Sequence, residues 1–225
     1  MTYWALKVVL TPVLRLLFRV KVRGLDNVPK AGPVIVAANH QSFIDSVFLP
    51  LVLRRRVTFI AKSEYFESWK TAWFFRAVGM IPMKREGGNA SQRALEASRE
   101  VLAQGGVLGI YPDGTRSPDG RLYRGHTGVA RLALDTGAVV VPAAIEGTSE
   151  IQPIGAVLPR PFRRVKMTFG PPLRWAGRGP DAPEGGLPRQ LTDELMAAIA
   201  ELSGQEHVSD YAKRNPKARA GVDEL

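Results

Sequence analysis

Pro33-Val34-Ile35-Val36-Ala37-Ala38-Asn39-His40-Gln41-Ser42-Phe43-Ile44-Asp45 is the stretch whose reading decides the fold. Its first six residues form a short, β-branched apolar run bounded by Gly32 and Pro33, the signature of a buried strand. From Ser42 onward, Phe43, Ile44, Val47, Phe48 and Leu51 recur at helical spacing, so His40 falls in a strand-to-helix turn. Side chains on a helix lean toward its N-terminus, so Asp45, one turn in, points back toward His40. An imidazole with a carboxylate aimed at it is the base-plus-orienter part of a catalytic triad, here without an obvious serine or cysteine nucleophile. The same residues also read as a plain helix start, with Ser42 as N-cap and Asp45 placing negative charge at the positive end of the helix dipole. From this stretch alone both readings stand.

Downstream the pattern alternates. Val57–Ala61, Met80–Met83, Val107–Tyr111 and Ala138–Ala144 read as strands, and Arg163–Phe169 as a late one. Trp69–Val78, Asn89–Gln104, His126–Thr136 and Leu187–Leu202 read as helices, the second ended by Gly105-Gly106. Residues 174–189 read as a Pro/Gly-rich surface loop. Strands separated by helices predict a single α/β domain with a mixed, mainly parallel sheet flanked by helices and its site at the strands' C-terminal edges.

Composition narrows the partners. A net charge of +10 and a pI near 10.2 call for an anionic partner or surface. No zinc-finger spacing or RNA-binding aromatic motif supports nucleic acid, so none is expected. There is no cysteine, which removes disulfide and thiol chemistry and allows a reducing compartment. Three histidines, His40, His126 and His207, argue against a multi-histidine metal site, and no metal or cofactor is expected. Residues 1–24 hold five basic residues and no acid; Lys7, Thr11, Arg15 and Arg19 form a narrow polar stripe beside a wide apolar face. A spanning helix needs about 20 mostly apolar residues, which these charges interrupt. A secretory signal would need a basic start and a small-residue cleavage site, which the segment lacks. The expectation is an amphipathic helix lying in the interface of an anionic membrane, with Lys7, Arg15 and Arg19 against headgroups; packing on the domain's own core is the alternative.

The His40-x4-Asp45 spacing resembles the first motif of the phospholipid and glycerol acyltransferase family, to which the lysophosphatidic acid acyltransferases belong. Gly79-Met80-Ile81-Pro82-Met83-Lys84-Arg85 resembles its second motif, Tyr111-Pro112-Asp113-Gly114-Thr115-Arg116-Ser117 its third, and Val141-Pro142-Ala143-Ala144-Ile145 its fourth. Four motifs in the family's order cover roughly residues 20–170. The resemblance implies a glycerol-3-phosphate acyltransferase-like fold divided into a membrane-associating helix at 1–20, an acyltransferase domain at 21–205 with its motifs between about 34 and 148, and a basic flexible tail at 206–225. It also implies His40 and Asp45 as the catalytic pair, and Arg85 and Arg116 as acceptor-binding arginines. Lys84, Asp113, Gly114, Thr115 and Arg124 join the substrate-binding set, and His126 is a weaker candidate. The third motif usually carries glutamate where this chain has Asp113, and the second is often acidic or neutral where it has Lys84; both departures bear on the acceptor more than on the reaction.

The chemistry suits the residues. An acyl thioester is already activated, so a base for the attacking hydroxyl and donors for the oxyanion suffice, which accounts for the missing nucleophile. Arginine's planar fork matches phosphate oxygens two at a time. The expected activity is transfer of a fatty acyl group from acyl-CoA or acyl carrier protein to lysophosphatidic acid. It would take place at the cytoplasmic face of the cell membrane, with the protein peripheral or monotopic. Another lysophospholipid or polar lipid is an alternative acceptor. A hydrolase would use the same base on water, though no Gly-x-Ser-x-Gly elbow is present; a non-catalytic lipid-binding module would not need the His40/Asp45 pair.

Overall fold

The computed structural model describes residues 2–67, 72–73, 75–76, 79–83, 90–156, 158–177 and 186–212. Its centre is the apolar run that opens the decisive stretch, β2 (Val34–Ala38), buried along its whole length. Val34, Val36 and Ala38 point into one apolar layer and Ile35 and Ala37 into the other. A strand covered on both faces has no solvent side to alternate with, hence its continuous hydrophobic sequence.

Six more strands complete one sheet: β1 (Lys21–Arg23), β3 (Val57–Lys62), β4 (Met80–Met83), β5 (Val107–Ile110), β6 (Val139–Glu146) and β7 (Lys166–Phe169). Their order is β1-β7-β6-β2-β5-β3-β4. Strands β6, β2, β5, β3 and β4 are parallel, while β7 runs antiparallel to β6 and carries β1 parallel to itself. The mainly parallel α/β architecture is thus as the sequence predicts. β1 was not expected: three residues with two exposed cations carry no strand signal and pair only because β7 offers an edge. The late strand begins at Lys166, with Arg163–Val165 outside it.

Helices α1 (Thr2–Phe18) and α2 (Asp45–Val52) cover the face of Val34 and Val36. Helices α3 (Ala90–Ala103), α4 (Gly128–Thr136) and α6 (Gly186–Ser203) cover the other. A single turn, α5 (Thr148–Ile151), follows β6. Within the expected helix 69–78, Ala72, Trp73, Phe75 and Arg76 are helical, and the rest lies outside the described residues.

This arrangement positions a crevice. From β2 the chain leaves through α2 on one face, toward β3; from β5 it leaves through α4 on the other, toward β6. β2 and β5 are neighbours, so their departing loops diverge. That divergence is the topological switch point at which open parallel sheets bind ligands.

α1 corrects one expectation. Its Lys7 does not face outward: the ammonium hydrogen-bonds to the Leu53 carbonyl and lies 5.3 Å from the Trp4 ring centroid. Burial, with a smaller contribution from Arg15, pulls its pKa down to about 8. Leu14 and Leu17 pack on the core, and Phe18 meets Phe48 edge to face at 5.5 Å. The exposed side instead carries Trp4, Val8, Val9, Val13 and Leu16 with Arg15 and Arg19. No helix among the described residues is long and apolar enough to cross a membrane.

Candidate active site

His40 stands two residues beyond β2, and its ring is fixed from two sides. Nδ1 lies 2.9 Å from Asp45 Oδ2. The same oxygen accepts the N–H groups of Gln41 and Ser42, both at 2.8 Å. Asp45 is 0% exposed and His40 16%. The carboxylate therefore organises the turn and the imidazole with one oxygen. Because that oxygen already accepts two amide N–H groups, it also accepts from the ring, which in its neutral form carries its proton on Nδ1 and keeps the lone pair on Nε2.

Ser42 does not act as the N-cap. Helix α2 starts at Asp45 after Ile44, and no side chain caps it. The Ser42 hydroxyl instead donates to the Gln152 carbonyl at 2.7 Å, tying the turn to the segment after α5.

The other side of the His40 ring is covered by Tyr111, stacked at 3.9 Å between centroids with planes 6° apart. Register explains this: Ala37 pairs with Ile110, so the residue after β5 comes level with the end of β2. Tyr111 is pinned by a 3.0 Å hydrogen bond between its hydroxyl and Ser46 Oγ, and it stacks on Phe59 at 5.6 Å. Burial pushes its hydroxyl well above the usual phenol range, and the Asp45 charge adds to the rise. The Phe59 ring lies over Gly109, where an added Cβ would come within 2.4 Å of ring carbons. Gly109 must therefore be bare for Phe59, Tyr111 and His40 to stack in line. Gly109→Ala is expected to lose about 1–3 kcal/mol by overpacking, and to lower any turnover that depends on His40 because the support of its ring shifts. Urea midpoints and turnover measured side by side would show both, and a variant with wild-type values of each would contradict this account.

The loop after Tyr111 returns to His40, since Ser117 donates its N–H to the His40 carbonyl at 2.8 Å. Gly114, Thr115 and Arg116 lie between these two attachments, so the third motif sits beside the imidazole. Gly114 has φ +71° and backs onto His126, whose Cδ2 would lie 3.1 Å from any Cβ there. Asp113 is 3% exposed, and its Oδ1 has no hydrogen-bond partner. Burial pushes its carboxyl well above the usual carboxylate range; N–H groups of Asp113 and Gly114 oppose the rise and the Asp45 charge adds to it.

Asp113 therefore gives a pH signature with a definite sign. Its folded pKa lies above the unfolded value of about 3.9, so the fold favours the protonated form. That stability is fully present below the unfolded value and is lost as pH rises through the folded pKa. Asp113→Asn, which cannot ionise, should melt like the wild type near pH 4 and increasingly above it toward pH 8. Melting curves at both pH values check this; a gap that shrinks or reverses with rising pH would refute it.

Arg124 is placed differently from Arg116. Its guanidinium covers the Tyr211 ring at 5.2 Å, and Tyr211 stacks on His126 at 4.8 Å. Residues 206–211, expected to open a flexible tail, instead cross this loop: Leu122 N donates to Glu206 O, Val208 N to Leu122 O and Arg124 N to Asp210 O, each at 2.9 Å. Lys84 and Arg85 lie outside the described residues; β4 ends just before them at Met83, at the same sheet edge as His40. Lys213 and the rest of the expected tail also lie outside.

Two positioning residues gave little sequence signal. Asn39 accepts from Ile145 N at 2.7 Å and donates to Ile145 O at 3.1 Å, clamping the end of β2 to β6. It also donates to Gln205 Oε1 at 2.6 Å, and Gln205 reaches the Gly120 carbonyl. Asn39 stood inside the quoted motif without a role, and nothing around Gln205 distinguishes it from a helix-end amide.

The sequence pattern of the family described as Acyltransferase matches residues 19–146. A 1-acyl-sn-glycerol-3-phosphate acyltransferase of Bacillus subtilis is 30% identical over 205 residues, 89% of this chain and 94% of that one. A chloroplast 1-acyl-sn-glycerol-3-phosphate acyltransferase of Arabidopsis thaliana is 34% identical over 140 residues, which is 62% of this chain and 39% of that protein. The chain thus spans only about two fifths of that chloroplast relative's length. Among solved structures, the crystal structure of the 1-acyl-sn-glycerophosphate acyltransferase PlsC from Thermotoga maritima superposes with a TM-score of 0.60 at 29% identity, covering 81% of this chain and 71% of the other.

Proposed function

The chain belongs to the acyltransferase family, and from that premise we propose that it transfers a fatty acyl group to the free hydroxyl of lysophosphatidic acid, giving phosphatidic acid. The observation that carries the reading is the His40–Asp45 bond of 2.9 Å at the sheet's switch point. His40 Nε2 takes the hydroxyl proton as the oxygen attacks the thioester carbon. The tetrahedral intermediate collapses with cleavage of the carbon–sulfur bond, and the imidazolium returns its proton to the leaving thiolate. No covalent enzyme intermediate forms.

Arg116, held next to Ser117 and so next to His40, is the cation we assign to the acceptor phosphate, with the Gly114 and Thr115 backbone beside it. Arg85 and Lys84 are assigned to the same phosphate by their motif, and Arg124 to the outer wall of the loop. The acyl donor is acyl-CoA or acyl carrier protein, both anionic and matched to a chain of net charge +10. The acceptor lives in a bilayer, so the protein works as a peripheral or monotopic protein at the cytoplasmic face of the cell membrane. The outward apolar side of α1, with Arg15 and Arg19, supports that docking.

Purified protein incubated with radiolabelled acyl-CoA and a panel of lysolipids tests the proposal. Labelled phosphatidic acid from lysophosphatidic acid is expected, ahead of other lysophospholipids. Release of free fatty acid alone would mean a hydrolase, and lipid binding with no turnover would mean a carrier.

A further inference from the structure

We propose that the segment Leu158-Pro159-Arg160-Pro161-Phe162-Arg163-Arg164 is a second membrane-inserting element, a wedge that enters an anionic monolayer beside the end of α1. The inference rests on reading this chain as an acyltransferase that works on bilayer lipids. Phe162 adopts φ +64°, a left-handed conformation that L-residues with bulky side chains rarely take. The backbone reason is plain: Phe162 N donates to Leu17 O at 2.7 Å and Val165 N to Phe18 O at 3.1 Å, closing the last carbonyls of α1. That capping uses main-chain N–H groups alone and would suit glycine or asparagine. The chain instead carries phenylalanine there and leaves it 68% exposed, with Leu158 at 78% and Leu16 of α1 at 80%.

Two prolines stiffen the segment, so little ordering is needed on insertion. Arg160, Arg163 and Arg164 flank Phe162 in sequence, and Arg15 and Arg19 flank its backbone partner Leu17, all exposed. Arg163 has one distant acidic neighbour, Glu150, at 4.0 Å. An apolar tip ringed by cations matches an anionic lipid surface, where each arginine contributes on the order of 1 kcal/mol. A second copy meeting this face about a twofold axis would set those arginines against one another.

Register places the wedge at the reacting edge of the sheet. Glu146, the last residue of β6, opposes Lys166, and Lys166 opposes Lys21. The end of α1 and the Phe162 tip thus share the edge from which His40 projects. The segment begins six residues after Gln152, whose carbonyl binds the His40 turn through Ser42. Insertion of Leu158 and Phe162 would hold the rim of the His40 crevice at headgroup level.

The absence of cysteine permits a direct test. Phe162→Cys labelled with an environment-sensitive fluorophore should shift to the blue and brighten several-fold with vesicles of equal phosphatidylglycerol and phosphatidylcholine. Ala103→Cys, on the opposite face of the sheet, should not respond. Phe162→Gly should bind those vesicles about tenfold more weakly, the order expected for one aromatic side chain withdrawn from lipid. It should melt no lower than the wild type, because glycine accepts φ +64° freely, and turn over a short-chain, water-soluble acceptor normally. Leu16→Glu should also bind weakly. A label at 162 that stays water-exposed on vesicles that Leu16→Glu fails to bind would overturn the wedge and leave α1 docking intact. Wild-type protein that floats with no vesicle would sink both. Fluorescence that rises with protein concentration alone, alongside a doubled mass, would identify a second copy as the occupant and refute the lipid assignment.

Discussion

His40→Ala should lower acyl transfer to lysophosphatidic acid by about 10²- to 10⁴-fold, the usual contribution of a positioned base, and leave the protein folded. The fold should survive because the ring stands in the loop beyond β2, 16% exposed, rather than on a core strand or helix. Its loss removes one hydrogen bond and one stack, the latter about 0.5–1.5 kcal/mol. Asp45 Oδ2 would still accept the amides of Gln41 and Ser42, so the turn keeps its shape. The fall should appear in kcat rather than in KM, because the base acts on the proton in flight and not on the phosphate. Steady-state kinetics with near-ultraviolet circular dichroism would check it. A folded variant within threefold of wild-type turnover would remove His40 from the chemistry.

The decisive stretch was readable because both of its signals are local. A continuous apolar run followed by helical spacing fixes a buried strand and a turn without knowledge of the rest of the chain, and β2 sits where that pattern places it. Asp45 lies only five residues from His40, although it is the first residue of α2 rather than one turn inside it, and it reaches the ring across the turn whose Gln41 and Ser42 amides the same oxygen accepts. What sequence could not disclose depends on partners far along the chain. Ser42 reads as a helix cap because capping is the nearest use for its hydroxyl, yet its acceptor is Gln152, 110 residues on. Tyr111 reads as a strand end; its place against His40 follows only from β5 lying next to β2, and that order interleaves strands distant in sequence. Gly109 carries no signal within the strand Val107–Tyr111, and its need to stay bare comes from Phe59, fifty residues earlier.

Charge was the least legible property. The stripe of Lys7, Thr11, Arg15 and Arg19 follows helical spacing faithfully, and periodicity says which residues share a face but not which face meets the protein. α1 turns Lys7 and Thr11 inward, where Lys7 finds a carbonyl and two aromatic rings, because Leu14, Leu17 and Phe18 are needed against α2 and the sheet. The apolar residues left outside are the ones the proposed function assigns to a lipid surface.

Asp45→Asn should fall about as far as His40→Ala, on the order of 10²- to 10⁴-fold in turnover, by removing the charge that stabilises the imidazolium and, where the amide turns, by altering which ring nitrogen holds the proton. Asparagine fills the same volume, so the buried site need not collapse. Its carbonyl oxygen is held in place by the two donors that Asp45 Oδ2 now accepts, Gln41 N and Ser42 N at 2.8 Å. A single amide oxygen can still receive His40 Nδ1–H only if it serves all three donors as the carboxylate does. If the amide nitrogen faces the ring instead, it donates to Nδ1, moves the proton to Nε2 and leaves no lone pair for the acceptor hydroxyl. The carboxylate charge that stabilises the imidazolium is lost in either orientation. A plain helix-start role for Asp45 predicts the reverse: Asp45→Asn would lose part of its charge–dipole stabilisation, typically 0.3–1 kcal/mol, and keep its turnover. Nitrogen-15 shifts of the His40 ring separate the two, since a proton on Nε2 exchanges the signatures of the two nitrogens. A variant that melts up to a few degrees lower yet transfers acyl groups at the wild-type rate, with Nδ1 still protonated, would confine Asp45 to holding the turn.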